Sequence, residues 1–164
     1  GMYSSAADTL DFVTAGNNVA QITSSGNVIV NGTITCANIT TGLATVELDA
    51  GTYSPSVTAS TNTDIAVTAT QAQYLRIGNT VTVSGRFTAD PTLAATTTSF
   101  ELSLPTASNI GAAEDVSGTA TCGNIASMCA EVNGSVANDT AIIFWKSTDI
   151  TSQTWAYTFT YQII

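Results

Sequence analysis

Residues 154–164, Thr-Trp-Ala-Tyr-Thr-Phe-Thr-Tyr-Gln-Ile-Ile, alternate with a strict period of two. Trp155, Tyr157, Phe159, Tyr161 and Ile163 fall on one side, and Thr154, Ala156, Thr158, Thr160 and Gln162 on the other. A β-strand puts every second residue on one face, so the segment reads as a half-buried strand with an aromatic inner side. The pattern recurs upstream. Leu75 and Ile77 lead into Gly78-Asn79, after which Val81, Val83, Gly85 and Phe87 share a face. Glycine at the first position of a two-residue loop suits a type II′ hairpin. Further strands are predicted around Val57 and over 65–69, 100–104, 118–122, 128–132 and 141–146. Turn signals stand at Asp90-Pro91, Asn133-Gly134 and Asn138-Asp139. Helical periodicity is nearly absent, and residues 110–116 have room for one turn. The predicted fold is all-β, an antiparallel β-sandwich of jelly-roll-like form.

The first fifty residues read differently. Ile22, Val28, Val30, Ile34 and Cys36 are spaced by Ser25-Gly26-Asn27 and by Asn31-Gly32, a strong hairpin signal. Each short strand offers two or three apolar side chains, too few for a hairpin to stand alone. Such a segment needs a partner, either the following domain or copies of itself around an axis. Gly51 breaks the pattern and Pro55 follows. The expected division is a small β-hairpin, fibre-like segment over 1–49 and a C-terminal sandwich over 50–164.

Composition fits strands and narrows the partners. Only 9% of the 164 residues are charged, against roughly 25% in a typical soluble domain. Threonine is abundant, and β-branched side chains suit the pleated surface. The net charge is −9, and Arg76, Arg86 and Lys146 are the three cations. Binding to nucleic acid or an anionic membrane requires more Lys and Arg than this, and no apolar run reaches the ~18 residues of a membrane helix. Negative charge serves solubility first. Gly1-Met2 reads as a tag remnant ahead of a start codon, with no leader visible, which is consistent with a fragment of a longer protein. Cys36, Cys122 and Cys129 are odd in number, which argues against a disulfide framework. Buried free thiols are the simpler expectation, with Cys122 and Cys129 facing each other across a hairpin as the alternative.

Several segments, taken in order, resemble a module near the C-termini of bacteriophage tail fibres and other phage structural proteins. They are Gly51-Thr52-Tyr53-Ser54-Pro55, then Gln73-Tyr74-Leu75-Arg76-Ile77-Gly78-Asn79-Thr80-Val81-Thr82-Val83-Ser84-Gly85, then Asp90-Pro91-Thr92. Leu102-Ser103-Leu104-Pro105, Ala107-Ser108-Asn109, Gly118-Thr119-Ala120 and Phe159-Thr160-Tyr161-Gln162-Ile163 complete the set across residues 51–164. Upstream, Asp11-Phe12-Val13-Thr14 and Ile22-Thr23-Ser24-Ser25-Gly26-Asn27-Val28 are similar to the short repeats of such fibres. The resemblance implies a homotrimer made in the host cytoplasm and located in the virion. It also implies contacts with other tail proteins, and attachment to a host-surface carbohydrate or protein receptor. No segment matches the self-cleaving chaperone domain that follows some fibres.

Catalytic signals are sparse, and the chain is read as a non-enzyme without cofactor or metal. It has no histidine, so Ser-His and Cys-His arrangements are excluded, and it has no C-x-x-C pair for zinc. Lys146 ends the run Ile143-Phe144-Trp145-Lys146 and reads as a solvated strand-end charge. Glu114-Asp115 are adjacent, which does not produce the paired carboxyls of a glycosidase. Asn31, Asn38, Asn133 and Asn138 begin glycosylation sequons but read as turn residues. Arg76 and Arg86 flank the Gly78-Asn79 turn and are expected together on its polar face. There they serve as anionic-ligand contacts, as an intersubunit salt bridge, or as solubilising edge charges. Trp155 reads as core. Trp145, out of phase with Ile142 and Phe144, is open to exposure or a subunit interface, and core or interface is favoured over sugar stacking. Loops 89–99 and 105–117 are the natural carriers of specificity. A polysaccharide depolymerase tip and a bacterial surface adhesin module are the competing readings.

Overall fold

The computed structural model describes residues 2–4, 7, 9–26, 28–31, 39–41, 44–64 and 67–164. Among them are sixteen strands and one short 3-10 turn, Ala113–Asp115, within the stretch expected to hold one turn. The chain divides into two compact units, Gly1–Ala37 and Asn38–Ile164. The division expected at residue 49 falls inside a paired strand, so the larger unit begins earlier than the apolar spacing suggested.

The smaller unit is one antiparallel sheet. Its strands β1 (Met2–Tyr3), β2 (Leu10–Thr14), β3 (Asn17–Ile22) and β4 (Val28–Val30) lie in sequence order. Ala15 and Gly16, both at positive φ, turn β2 into β3, and Gly26 at φ +81° serves the next turn. Register pairs Leu10 with Ile22 and Ile22 with Val28, and also Phe12 with Ala20 and Ala20 with Val30. Alternation therefore collects these six apolar residues on one face. Phe12, Ile22 and Val28 remain 40%, 38% and 66% exposed there. Asp11 is buried, and its carboxylate accepts from the Asn18 and Gln21 side-chain amides at 2.8 and 2.7 Å.

The larger unit opens with a two-stranded hairpin, β5 (Ile39–Thr41) and β6 (Ala44–Val46). Ten strands then build one curled antiparallel sheet. They are β7 (Leu48–Tyr53), β8 (Val57–Thr61), β9 (Thr68–Ala69), β10 (Ala72–Ile77), β11 (Thr80–Ala89), β12 (Thr97–Leu102), β13 (Val116–Cys122), β14 (Cys129–Ser135), β15 (Thr140–Lys146) and β16 (Gln153–Gln162). Their order is β7-β10-β11-β16-β13-β14-β15-β12-β8, with β9 alongside β11. The two edge strands, β7 and β8, are consecutive in the chain and joined through the buried Pro55. The sheet thus returns to its starting edge, and the sandwich is one sheet folded onto itself.

The core follows from the aromatic strand. Along β16 burial alternates without a break, with Trp155, Tyr157, Phe159 and Tyr161 inside, as the period-two reading requires. It pairs with β11 over ten residues, from Thr80 opposite Gln162 to Ala89 opposite Gln153. Phe87 of β11 stacks on its cross-strand partner Trp155 at 5.7 Å. It also meets Phe100 of β12 edge-on at 4.7 Å, although four strands separate β11 from β12 in the sheet. That contact closes the sandwich, and each fully buried side chain of this size contributes roughly 1.5–3 kcal/mol. The expected hairpin at Gly78-Asn79 is present, with Ile77 opposite Thr80 and Gly78 at φ +59°.

Two local expectations are corrected. Asn133-Gly134 is not a turn but lies within β14. A side chain at Gly134 would meet the Ile110 methyl at 2.7 Å, so the glycine admits the 105–112 loop against the strand. Cys122 and Cys129 do not face each other. Cys129 pairs with Thr121, so the two thiols sit on opposite faces, free, one half-exposed and the other exposed. Cys36, Asn38, Gly32 and Ile65 lie outside the described residues.

Candidate functional site

The predicted contact residues do not form one site. Arg76 pairs with Val81 across the hairpin, so it follows the inner-face phase of β10, while Arg86 follows the outer phase of β11. The partners across this two-residue loop, 76 with 81 and 77 with 80, differ in parity. Two even-numbered residues on its arms must therefore lie on opposite faces, which corrects the shared polar face expected for them. Arg76 forms a salt bridge with Glu47, and its Nε donates to the Gly78 carbonyl at 2.8 Å.

Trp145 is likewise not a surface residue. It is 4% exposed, on the inner side of β15 with Ala141 and Ile143. It packs 5.0 Å from Trp155, and its indole N–H donates to Gln153 Oε1 at 3.0 Å. Ile142 and Phe144 take the outer side and stay half-buried. The apolar run carries hydrophobic residues on both faces, so periodicity alone could not choose between the two phases.

Both loops expected to carry specificity are tied to the framework. Asn62, at φ +54°, accepts from Thr92 Oγ1 and the Leu93 N–H at 2.8 Å each, and donates to the Leu93 carbonyl and to Thr98 Oγ1. Loop 105–117 is held by Tyr161, whose hydroxyl donates to the Thr106 carbonyl at 2.7 Å. The Asp139 carboxylate, which accepts from the Ile110 N–H at 2.8 Å, holds it as well. Glu101, 5% exposed, accepts from Ser135, Asn138 and Thr140. Three donors on a buried carboxylate are a structural brace. Of the adjacent acids 114 and 115, Asp115 is occupied in accepting the Gly111 and Ala112 N–H groups. Among the described residues no group of three His, Cys, Asp or Glu side chains gathers as a metal site would require.

The polar surface that remains centres on Arg86. β10 pairs with β11 as far as Ser84, and β9 resumes the pairing at Phe87. In the gap, Thr70 N–H and Oγ1 both donate to the Arg86 carbonyl at 3.0 and 3.1 Å. This break opens a shallow groove of about 370 Å³ lined by Gln71, Gln73, Ser84, Arg86 and Ala156. Gly85 forms its floor. Any side chain there would strike the Tyr157 hydroxyl from the core side and Ala72 Cβ at 2.9 Å. Burial pushes that hydroxyl up to about 12. Burial also raises Tyr53, helped by neighbouring Tyr157 and Tyr161. These phenols stay protonated at neutral pH, so Tyr157, the one of them that borders the groove, adds no charge to it. The side chains of Gln71, Gln73, Ser84 and Arg86 make no hydrogen bond or ion pair among the described residues. Sequence reading singled out Arg86 but missed its neighbours, because nothing in the alternation marks where one ladder stops and another resumes.

The sequence matches no family model, no curated protein and no solved structure. The all-β curled sandwich and its groove therefore stand on their own geometry.

Proposed function

We propose that this chain is a virion structural protein, a tail-fibre tip or receptor-binding module that assembles as a homotrimer and attaches to the host surface. The observation that carries the reading is the apolar face of β2, β3 and β4. Leu10, Phe12, Ala20, Ile22, Val28 and Val30 share that face, and none of these six side chains is buried. Contiguous exposed apolar surface marks an interaction site, and a thin sheet of this kind gains its stability from whatever covers it. Copies of the same chain around an axis supply that cover in fixed stoichiometry. Resemblance of residues 51–164 to phage fibre modules supports the attachment half of the reading.

Light scattering on the purified chain is the direct test. The expected mass is three chains, and Val28→Asp combined with Phe12→Ser should shift it to one. A monomer at micromolar concentration would sink the assembly reading. Binding of labelled protein to candidate host cells tests attachment separately.

A further inference from the structure

We propose that the Arg86 groove binds a carboxylate-bearing sugar of the uronate or sialate type. Arg86 is one of three cations in a chain of net charge −9. Arg76 is taken by Glu47, whereas Arg86 is exposed and unpaired among the described residues. A guanidinium offers a planar fork of donors that matches a carboxylate in bidentate fashion. Around it, Gln71, Gln73 and Ser84 present two amides and a hydroxyl, none engaged within the described residues. Amides and hydroxyls both donate and accept, as the ring hydroxyls of a sugar require. Cross-strand pairing of Gln73 with Ser84 places those two groups on one face of the sheet, two residues along from Arg86.

The lining also decides against a protein occupant. Stable protein interfaces need a buried apolar or aromatic anchor. The one aromatic residue at the groove, Tyr157, belongs to the inner, buried face of β16, and Ala156 supplies the one apolar side chain of the groove's lining on the outer face. An open groove holding one charge-assisted fork and a few hydrogen bonds binds weakly, with Kd about 1 mM. This inference rests on the attachment reading only for where such a sugar would be met.

The test is an amide-shift NMR titration of the full chain with trigalacturonate, with sialyllactose, with a neutral galactose trisaccharide and with acetate. Saturable shifts at Gln73, Ser84 and Arg86 are expected with an acidic sugar and not with the neutral one. Arg86→Gln should weaken binding at least about tenfold, Ser84→Ala by less, and Arg76→Gln not at all. The proposal is overturned if neither acidic sugar produces saturable shifts, if the neutral sugar or acetate binds as well, or if Arg86→Gln leaves affinity unchanged. Loss of an oligomer in Arg86→Gln would overturn it too, assigning the arginine to a carboxylate of a second copy. Cell binding is measured in parallel. Binding that survives Arg86→Gln, with no sugar shifts, overturns the groove and leaves attachment standing. Sugar shifts without cell binding do the reverse.

Discussion

The indole N–H of Trp145 donates to the side-chain oxygen of Gln153 at 3.0 Å, both residues being buried. This bond joins the end of β15 to the start of β16 inside the sandwich, where water cannot replace either partner. Gln153→Leu should cost roughly 1–3 kcal/mol by leaving the indole unsatisfied. Pairing it with Trp145→Phe in a double-mutant cycle, read by urea unfolding, should recover part of that loss.

Phe159 sits at the middle of the aromatic face, 1% exposed. Phe159→Ala should cost roughly 3–5 kcal/mol in the same assay. Gln162→Ala, on the outer face of the same strand, should stay within about 0.5 kcal/mol. Equal losses at the two positions would contradict the facing of β16.

Gly118 lies opposite Phe159 in the β13–β16 pairing. A methyl group there would collide with the Thr158 carbonyl and with Phe159. Backbone cannot step aside as a flexible side chain can, so Gly118→Ala should lose roughly 1–3 kcal/mol by overpacking. Gly123→Ala, whose nearest neighbour lies at 3.6 Å, is the matched control and should lower the melting temperature far less.

Glu101 receives hydrogen bonds from three side chains. Glu101→Gln replaces one accepting oxygen with a donating amide that faces donors. The expected loss is roughly 1–3 kcal/mol, with the 136–139 turn becoming more open to hydrogen exchange than the rest of β14 and β15.

The tyrosines set the alkaline limit. Burial raises Tyr157 to about 12, and it raises Tyr53 and Tyr161 in the same direction from the ordinary value of 10.0. Above pH 10 the unfolded chain releases phenolic protons that the folded chain keeps, so the unfolded state gains. Stability should be flat in this respect below about pH 10 and fall as pH rises towards 12. Urea unfolding across that range checks the slope, and Tyr157→Phe should flatten part of it. Stability that rose through this range would contradict the burial of these hydroxyls.

Much of the fold was legible because alternation is a local property. Residues 154–163 and 80–87 declare strand type, and in both the inner face agrees with the apolar set, whereas Leu75 and Ile77 of β10 lie on the outer face. Gly78-Asn79 declared its turn for the same reason, since a positive φ at that position is a demand on one residue. Legibility failed where both faces of a strand carry apolar groups, as in Ala141, Ile143 and Trp145 against Ile142 and Phe144. It failed again at Gly134, where the glycine answers to a loop some twenty residues away rather than to a turn.

By itself, then, the sequence determined strand type, most strand positions, the aromatic core face and the scarcity of positive charge. Those follow from side-chain chemistry and from a repeat of two. Only the tertiary structure decided that one sheet curls until Phe87 meets Phe100, that Glu47 occupies Arg76, and that the β9–β10 break leaves Arg86 open beside Gln71, Gln73 and Ser84. Those depend on which distant strands become neighbours and in what register. Pairing between residues far apart in the chain sets both, and no local pattern encodes it.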